Sequence, residues 1–143
     1  MPKQELDRLV RTGQLKSEPP SAGEIAGLLK SAEDRLRDAD RQENSVSSRF
    51  DLAYNAAHSF ALAALRWHGY RPDQRYIVFQ ALAHTISLPA TQWRVLADAH
   101  RKRNQVEYEG TTEVDPQFLE AVLRVTHELA KRVRALGPAG DGS

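Results

Sequence analysis

The segment from Phe50 to His68 constrains the fold most, because it is strongly apolar and repeats at helical spacing. Its six alanines give it a small-residue surface that lets neighbouring helices approach closely, while larger side chains supply volume. Gly69 and Pro72 predict where this helix ends, and the Ser-x-x-Asp spacing before it predicts a capping box from Ser48 to Asp51.

Three further segments carry an apolar helical stripe, and they lie within residues 25–39, 92–110 and 118–136. A capping box at Ser21 precedes the first of them, and an Asp115-Pro116 pair precedes the last. A shorter helical segment is predicted for residues 73–86. Because no strand alternation or hairpin signal occurs, the sequence predicts an all-α fold, an antiparallel bundle of four long helices with a short N-terminal helical arm.

The chain divides into three parts by composition. Residues 1–20 are predicted to form the arm and a linker, since Gly13 and two consecutive prolines interrupt helix formation. Residues 21–136 form the helical-bundle domain, and a single domain of this size buries about two thirds of its unfolded surface. Residues 137–143 form a Gly/Pro-rich tail that we expect to be disordered.

Overall charge predicts no partner, because 20 Lys and Arg residues oppose 19 Asp and Glu residues. Nucleic-acid binding would therefore need a local basic patch. One such patch is 100–103, His-Arg-Lys-Arg, and another comprises Arg66, Arg71 and Arg75. Each could equally be an ordinary solvated helix face.

Several classes of protein are disfavoured by what the sequence lacks. Without cysteine there is no disulfide or thiolate chemistry, and neither a signal core nor a membrane-length apolar run occurs, so we expect a cytoplasmic protein with no membrane partner. The metal-binding, phosphate-loop, dinucleotide and hydrolase motifs are missing as well. The sequence predicts neither a metal site nor a cofactor.

Within the predicted helix at 92–110, one face changes from apolar to polar side chains, and this change marks the candidate site. Its stripe begins with apolar Trp93, Leu96 and Ala97 but continues in the same register into His100 and Asn104. Burying an amide or imidazole costs roughly 1–3 kcal/mol unless it is hydrogen-bonded. These groups must therefore satisfy one another or line a polar cleft, and a polar cleft would be a functional site.

Five residues of this helix are candidates for binding a phosphate-bearing ligand: His100, Arg101, Arg103, Asn104 and Tyr108. An arginine can hold phosphate through two parallel hydrogen bonds, and the amide, phenol and imidazole can bind a sugar or base. The alternative is a surface ion pair between Arg103 and Glu107 beside a structural tyrosine.

A second group lies on the alanine-rich helix, where Tyr54, Asn55 and His58 are spaced to share one side. If this helix packs on the helix at 92–110, these residues face Asn104 and Tyr108 and form one polar cluster. His58 would otherwise be an ordinary core histidine that bonds to a neighbour.

The order Arg103-Asn104-x-x-x-Tyr108, behind the sequence Tyr54-Asn-Ala-Ala-His58, resembles the HEPN superfamily (higher eukaryote and prokaryote nucleotide-binding domains). The resemblance implies a small helical bundle. It also implies a metal-independent ribonuclease that forms a homodimer in which two motifs share one cleft. Many members are encoded in toxin–antitoxin or defence operons beside a nucleotidyltransferase, which would be the partner protein.

Within this resemblance Arg103 corresponds to the motif arginine and Asn104 to its polar neighbour, whereas Tyr108 stands where the motif histidine is expected. A tyrosine with an ordinary pKa near ~10 is a poor proton carrier at neutral pH. His100 or His58 could take the catalytic role beside Arg103.

Three functions remain open at this point. The first is a HEPN-like homodimer that binds RNA or another phosphate-bearing ligand, with ribonuclease activity weak or absent. The second is a non-catalytic, antitoxin-like interaction module, in which the polar cluster only fixes helix register. The third is an active metal-independent endoribonuclease.

Overall fold

The computed structural model describes residues 2–74, 77–109 and 113–138, and the side chains of residues 2 and 106–109 lie outside that description. Helix dominates the described residues, which confirms the predicted helical class. The elements are α1 (Pro2–Arg11), β1 (Leu15–Ser17), α2 (Ala22–Ala39), α3 (Val46–His68), β2 (Tyr70–Pro72), α4 (Ile77–Gln80), α5 (Leu82–Thr85), α6 (Ala90–Glu109) and α7 (Pro116–Arg134).

The alanine-rich helix α3 lies at the centre of the packing. It packs most extensively on α2 and next on α7, and it also contacts α4, α5 and α6. All six of its alanines are buried, so these neighbours approach its backbone closely. At its N-terminal end the Phe50 and Phe118 rings meet with their centroids 6.1 Å apart.

Side-chain caps set the ends of the long helices. The hydroxyl of Ser21 accepts from the Glu24 amide at 3.3 Å, as the sequence predicts, and Asp115 accepts from the Gln117 amide at the start of α7. The predicted Ser48–Asp51 box is wrong, because α3 begins earlier and Ser45 is its N-cap. Gly69 ends α3 with a φ of 92°, the left-handed conformation that glycine adopts without strain.

A small antiparallel sheet joins the N-terminal arm to the domain. In it β1 pairs with β2, with Leu15 opposite Pro72 and Ser17 opposite Tyr70. The all-α prediction missed this sheet, because a three-residue strand is too short to show alternation. Leu6 and Leu15 are both buried, so the arm contributes side chains to the core.

Residues 73–86 do not form the single helix that the sequence predicts. The described part divides into α4 and α5 on either side of Ala81, and Ser87 has a φ of 55°. This conformation turns the chain so that the Leu88 amide donates to the Leu82 carbonyl, and Leu88 is buried. The short helix α4 contacts both α3 and α6, and it brings Phe79 beneath the candidate site.

The end of the chain is described as far as residue 138. The Trp67 indole donates to the carbonyl of Gly137 at 3.2 Å, which fixes the chain just after α7. The remainder of the predicted tail, residues 139–143, lies outside the described residues.

Candidate functional site

The core-facing side of α6 agrees with the predicted stripe only in part. Leu96, which belongs to that stripe, and Ala99, which does not, are the buried side chains of α6 among those described. The other members of the stripe, Trp93, Ala97, His100 and Asn104, are only half-buried. The polar residues therefore lie along the edge of the α6 interface, where one side contacts the protein and the other remains accessible.

A hydrogen-bond network connects α6 to α3 at this edge. The phenol oxygen of Tyr54, which is fully buried, lies 2.9 Å from Nδ1 of His100. Nε2 of the same imidazole lies 3.4 Å from the amide nitrogen of Asn104. The polar groups thus satisfy one another across two helices while His100 remains half-exposed.

The orientation of the Asn104 amide determines which imidazole nitrogen carries the proton. When Asn104 donates to Nε2, that nitrogen must be the acceptor, so Nδ1 carries the proton and donates to the Tyr54 oxygen. Both ring nitrogens are engaged in this neutral form. A proton transfer by His100 to a ligand would require that one of the two bonds be given up.

Arg103 completes the cluster from the same helix. Its guanidinium carbon lies 5.1 Å from the centre of the Tyr54 ring, within the range of a cation–π contact. Its Nε lies 3.8 Å from a carboxylate oxygen of Asp51, and 21% of its side chain is exposed. The aromatic ring therefore packs against an arginine side chain that remains partly exposed.

His58 lies beside the same tyrosine and is half-buried, as His100 is. Its ring centre is 6.5 Å from that of Tyr54 and 6.1 Å from that of Phe79, so it packs against two aromatic rings. The structure thus brings Tyr54, His58, His100, Arg103 and Asn104 together.

Two other predicted site residues make contacts outside this cluster. The Asn55 amide donates to the Asp51 carbonyl within α3 at 2.9 Å. Arg101 is exposed and pairs with Asp98. The side chains of Tyr108 and Glu107 lie outside the described part of the structure.

A cleft of about 300 Å³ borders His100, and the sequence did not predict it. Its lining comprises Gln80, Trp93, Ala97, His100 and Arg101. The spacing of Trp93, Ala97 and His100 on one helical face was visible in the sequence, but the contribution of α4 was not. Asp51, the partner of Arg103, was missed as a site residue for the same reason, since its position depends on how two helices pack.

The second predicted basic patch is not a free positive surface. Arg66 is only 1% exposed, and its Nε donates to Glu24 at 2.7 Å. Arg71 donates to Glu18 at 2.8 Å and to Glu24 at 2.7 Å. Two carboxylates thus neutralise the two arginines, and Arg75 lies outside the described residues.

This ion network shifts the acidity of its carboxyl groups. Hydrogen bonding by Arg71 lowers the pKa of Glu18, and hydrogen bonding by Arg66 and then by Arg71 lowers the pKa of Glu24. The same contacts raise the pKa of Arg71 above its ordinary value. The network joins the arm, α2 and the end of α3, so its role is structural.

Comparison with known proteins gives no relative: no protein-family model matches the chain, and no curated protein is significantly similar to it. Within residues 2–74, 77–109 and 113–138, histidine, aspartate and glutamate side chains nowhere form a group of three or more that could hold a metal ion. None of the helices described there is both long enough and apolar enough to cross a membrane.

Proposed function

We propose that this chain is a HEPN-like domain that binds RNA through a phosphate contact at Arg103, with ribonuclease activity weak or absent. The observation that carries the proposal is the placement of Arg103, His100 and Asn104 along one edge of α6, supported from below by Tyr54. In this proposal α2, α3, α6 and α7 are the four helices of an antiparallel bundle.

The environment of Arg103 suits a reversible anion contact. A guanidinium offers five N–H donors in a planar fork that matches the geometry of a phosphate. The nearest described carboxylate, that of Asp51, is 62% exposed and 3.8 Å away, so this pair contributes little stability. The Asp51 contact is therefore one that a phosphate can displace at modest cost.

The arrangement of His100 supports binding more than cleavage. Attack by a ribose 2′-hydroxyl on the adjacent phosphate needs a group that accepts a proton near neutral pH, and imidazole is the usual one. Both nitrogens of His100 are engaged with Tyr54 and Asn104, which lowers its availability as a base. His58 packs against the rings of Tyr54 and Phe79 and its Nε2 atom is buried, so it is less suited to reach a ligand.

The HEPN resemblance adds two elements to the proposal. A homodimer would bring two Arg103–Asn104 edges to one cleft, so that one RNA strand meets two cationic sites. A toxin–antitoxin or defence role, with a nucleotidyltransferase as the partner protein, follows from the same resemblance.

A second candidate function is a non-catalytic protein-interaction module, and a groove of about 600 Å³ between α6 and α7 favours it. Its lining includes apolar side chains and charged side chains of both signs: Val95, Ala121, Val125, Arg124, Glu128 and Lys131. In this alternative the Tyr54–His100 bond only fixes the register of two helices, and RNA does not bind.

The test uses a labelled mixed-sequence RNA pool with chelator present, and it records filter retention and cleavage together. Wild type is compared with Arg103→Ala and with Arg37→Ala, which removes the same charge from the exposed face of α2. We expect wild type and Arg37→Ala to retain RNA without appreciable cleavage, and Arg103→Ala to lose retention by about tenfold, as expected for a charged hydrogen bond to phosphate.

The other outcomes distinguish the alternatives. Cleavage in chelator that leaves cyclic phosphate ends, and that His100→Ala abolishes, would establish the active endoribonuclease. If RNA is neither retained nor cleaved, the protein-interaction module would be the supported function. Equal retention by wild type and Arg103→Ala would show that the phosphate site is assigned to the wrong residue.

A further inference from the structure

We propose that the cleft beside His100 binds a single nucleobase, with Trp93 as its aromatic wall. This inference rests on the proposed function, because it assigns a base-recognition subsite next to the phosphate contact. The cleft has a volume of about 300 Å³, and its lining residues come from α6 and from the last residue of α4.

The helical spacing of α6 builds most of the cleft. Trp93, Ala97 and His100 follow one another at intervals of four and three residues, so they form a continuous strip on one face. The alanine is the smallest of the three, which leaves a depression between the indole and the imidazole. Gln80 closes the depression from α4, whose position is fixed by the fully buried Phe79.

The size of the cleft limits the class of ligand. Small-molecule sites in proteins span about 300–1,000 Å³, so this one lies at the lower limit. Such a volume accommodates one base or one nucleoside but not two stacked nucleotides. The cleft therefore selects a single unit of an RNA strand.

The chemistry of the lining suits a heterocyclic base. An indole offers a flat face for stacking, and the guanidinium of Arg94 lies 5.6 Å from the Trp93 ring centre, which helps to hold the ring in place. The amide of Gln80 provides one donor group and one acceptor, the pair that the edge of a base requires. Arg101 is exposed at the rim, where it can meet a flanking phosphate.

The cleft is continuous with the phosphate site through His100. This imidazole lines the cleft and also bonds to Tyr54 and Asn104. Arg103 follows less than one turn later on α6, and one turn advances the helix by about 5.4 Å. The backbone positions that supply the base cleft and the proposed phosphate contact thus lie within one helical turn of each other on α6.

The first experiment isolates Trp93 as a fluorescent reporter. In the Trp67→Phe variant Trp93 is the remaining tryptophan of the chain, and nucleosides can be titrated without any phosphate. We expect adenosine or uridine to change the Trp93 emission in a saturable way, and ribose 5-phosphate, which lacks a base, to leave it unchanged. If neither nucleoside changes the Trp93 emission, or if ribose 5-phosphate changes it equally, the proposal is overturned.

The second experiment measures RNA affinity in Trp93→Ala, Gln80→Ala and, as the matched aromatic control, Trp67→Phe. Loss of a base–aromatic stack should weaken binding in Trp93→Ala by at least about fivefold, with Trp67→Phe unchanged. Gln80 is exposed, so Gln80→Ala should keep its fold and report on base recognition even if Trp93→Ala unfolds. We expect Gln80→Ala to weaken nucleoside binding as well.

The two proposals fail in different ways. If Trp93→Ala and Gln80→Ala bind RNA as tightly as wild type while Arg103→Ala does not, the base subsite is overturned and the phosphate site stands. If nucleosides bind at Trp93 but RNA retention does not depend on Arg103, the base subsite stands and the proposed phosphate contact is overturned.

Discussion

Arg66 has the most polar surroundings of any buried side chain described in this chain. It is enclosed near the end of α3, where it donates to Glu24 and to the backbone carbonyls of Glu18, Pro19 and Tyr70. Such a group fixes the positions of the segments that accept its hydrogen bonds, because any displacement leaves a buried charge unpaired. The arm residues 18–19 are thereby tied to α3.

This arrangement predicts unequal effects for two neighbouring arginines. Arg66→Ala should lower the free energy of unfolding by about 3–5 kcal/mol, the usual cost of removing one partner from a buried ion pair. Arg71→Ala should cost about 1 kcal/mol or less, since 35% of its side chain is exposed. Urea denaturation of both variants beside wild type measures the difference. Equal losses would mean that burial does not control the energetics of this network.

The lowered pKa values of Glu18 and Glu24 predict sensitivity to acid. Each carboxyl has an ordinary pKa of 4.5, and each binds its proton less readily in the folded state than in the unfolded state. The unfolded chain therefore takes up more protons below about pH 4.5, so the stabilisation is complete above this pH and is lost as pH falls through the folded-state values.

Urea denaturation between pH 6 and pH 3 tests whether stability falls with falling pH in this way. Stability of wild type should be level above about pH 5 and should decline below it, while the double variant Glu18→Gln, Glu24→Gln should start lower and decline less steeply. Parallel pH profiles for the two proteins would show that other carboxyl groups carry the acid dependence.

Among the elements, α3 and α6 show which features follow from local sequence and which depend on how the helices pack together. The end of α3 at Gly69 and the start of α7 at Asp115 follow from residues at those positions, and both were predictable. The start of α3 was not, because Ser45 and Ser48 both fit a capping position and sequence alone favoured the wrong one. The buried face of α6 was predicted only in part, at Leu96 but not at Ala99, since it depends on where α3 and α4 lie.

The reassigned cap of α3 gives a prediction for two serines. Ser45 accepts from the Ser48 amide at 3.1 Å, so Ser45→Ala should lower stability by about 0.5–2 kcal/mol. Ser48→Ala should cost clearly less, because its hydroxyl caps no described helix amide. Thermal melts of the two variants measure this order. If Ser48→Ala were the more destabilising variant, Ser48 would be the N-cap and α3 would start later, as the sequence predicts.

At the scale of the whole molecule, the helical class and the cluster of polar residues were predictable, whereas the connections between distant segments were not. In the sequence, the polar residues His100 and Asn104 continue the helical face that begins at Trp93, and this marked α6 as unusual. Tyr54 was correctly predicted to lie near it. The sheet that pairs residues 15–17 with 70–72 gave no local signal, because each strand has only three residues. The cleft beside Trp93 was not predictable, because its lining includes Gln80, whose position depends on how α4 packs.

The central claim is that Arg103 contacts an RNA phosphate, and the salt dependence of binding tests it most directly. RNA affinity is measured over a range of salt concentrations for wild type, Arg103→Ala and the charge-matched control Arg37→Ala. Each phosphate contact to a single strand contributes a slope of about −0.7 in a plot of log K against log salt. We expect Arg103→Ala to lose about 0.7 from the magnitude of the slope for each Arg103 that contacts the strand, which is about 1.4 in the proposed homodimer, and Arg37→Ala to keep the slope. Identical slopes for all three proteins, or no RNA binding by wild type, would contradict the claim.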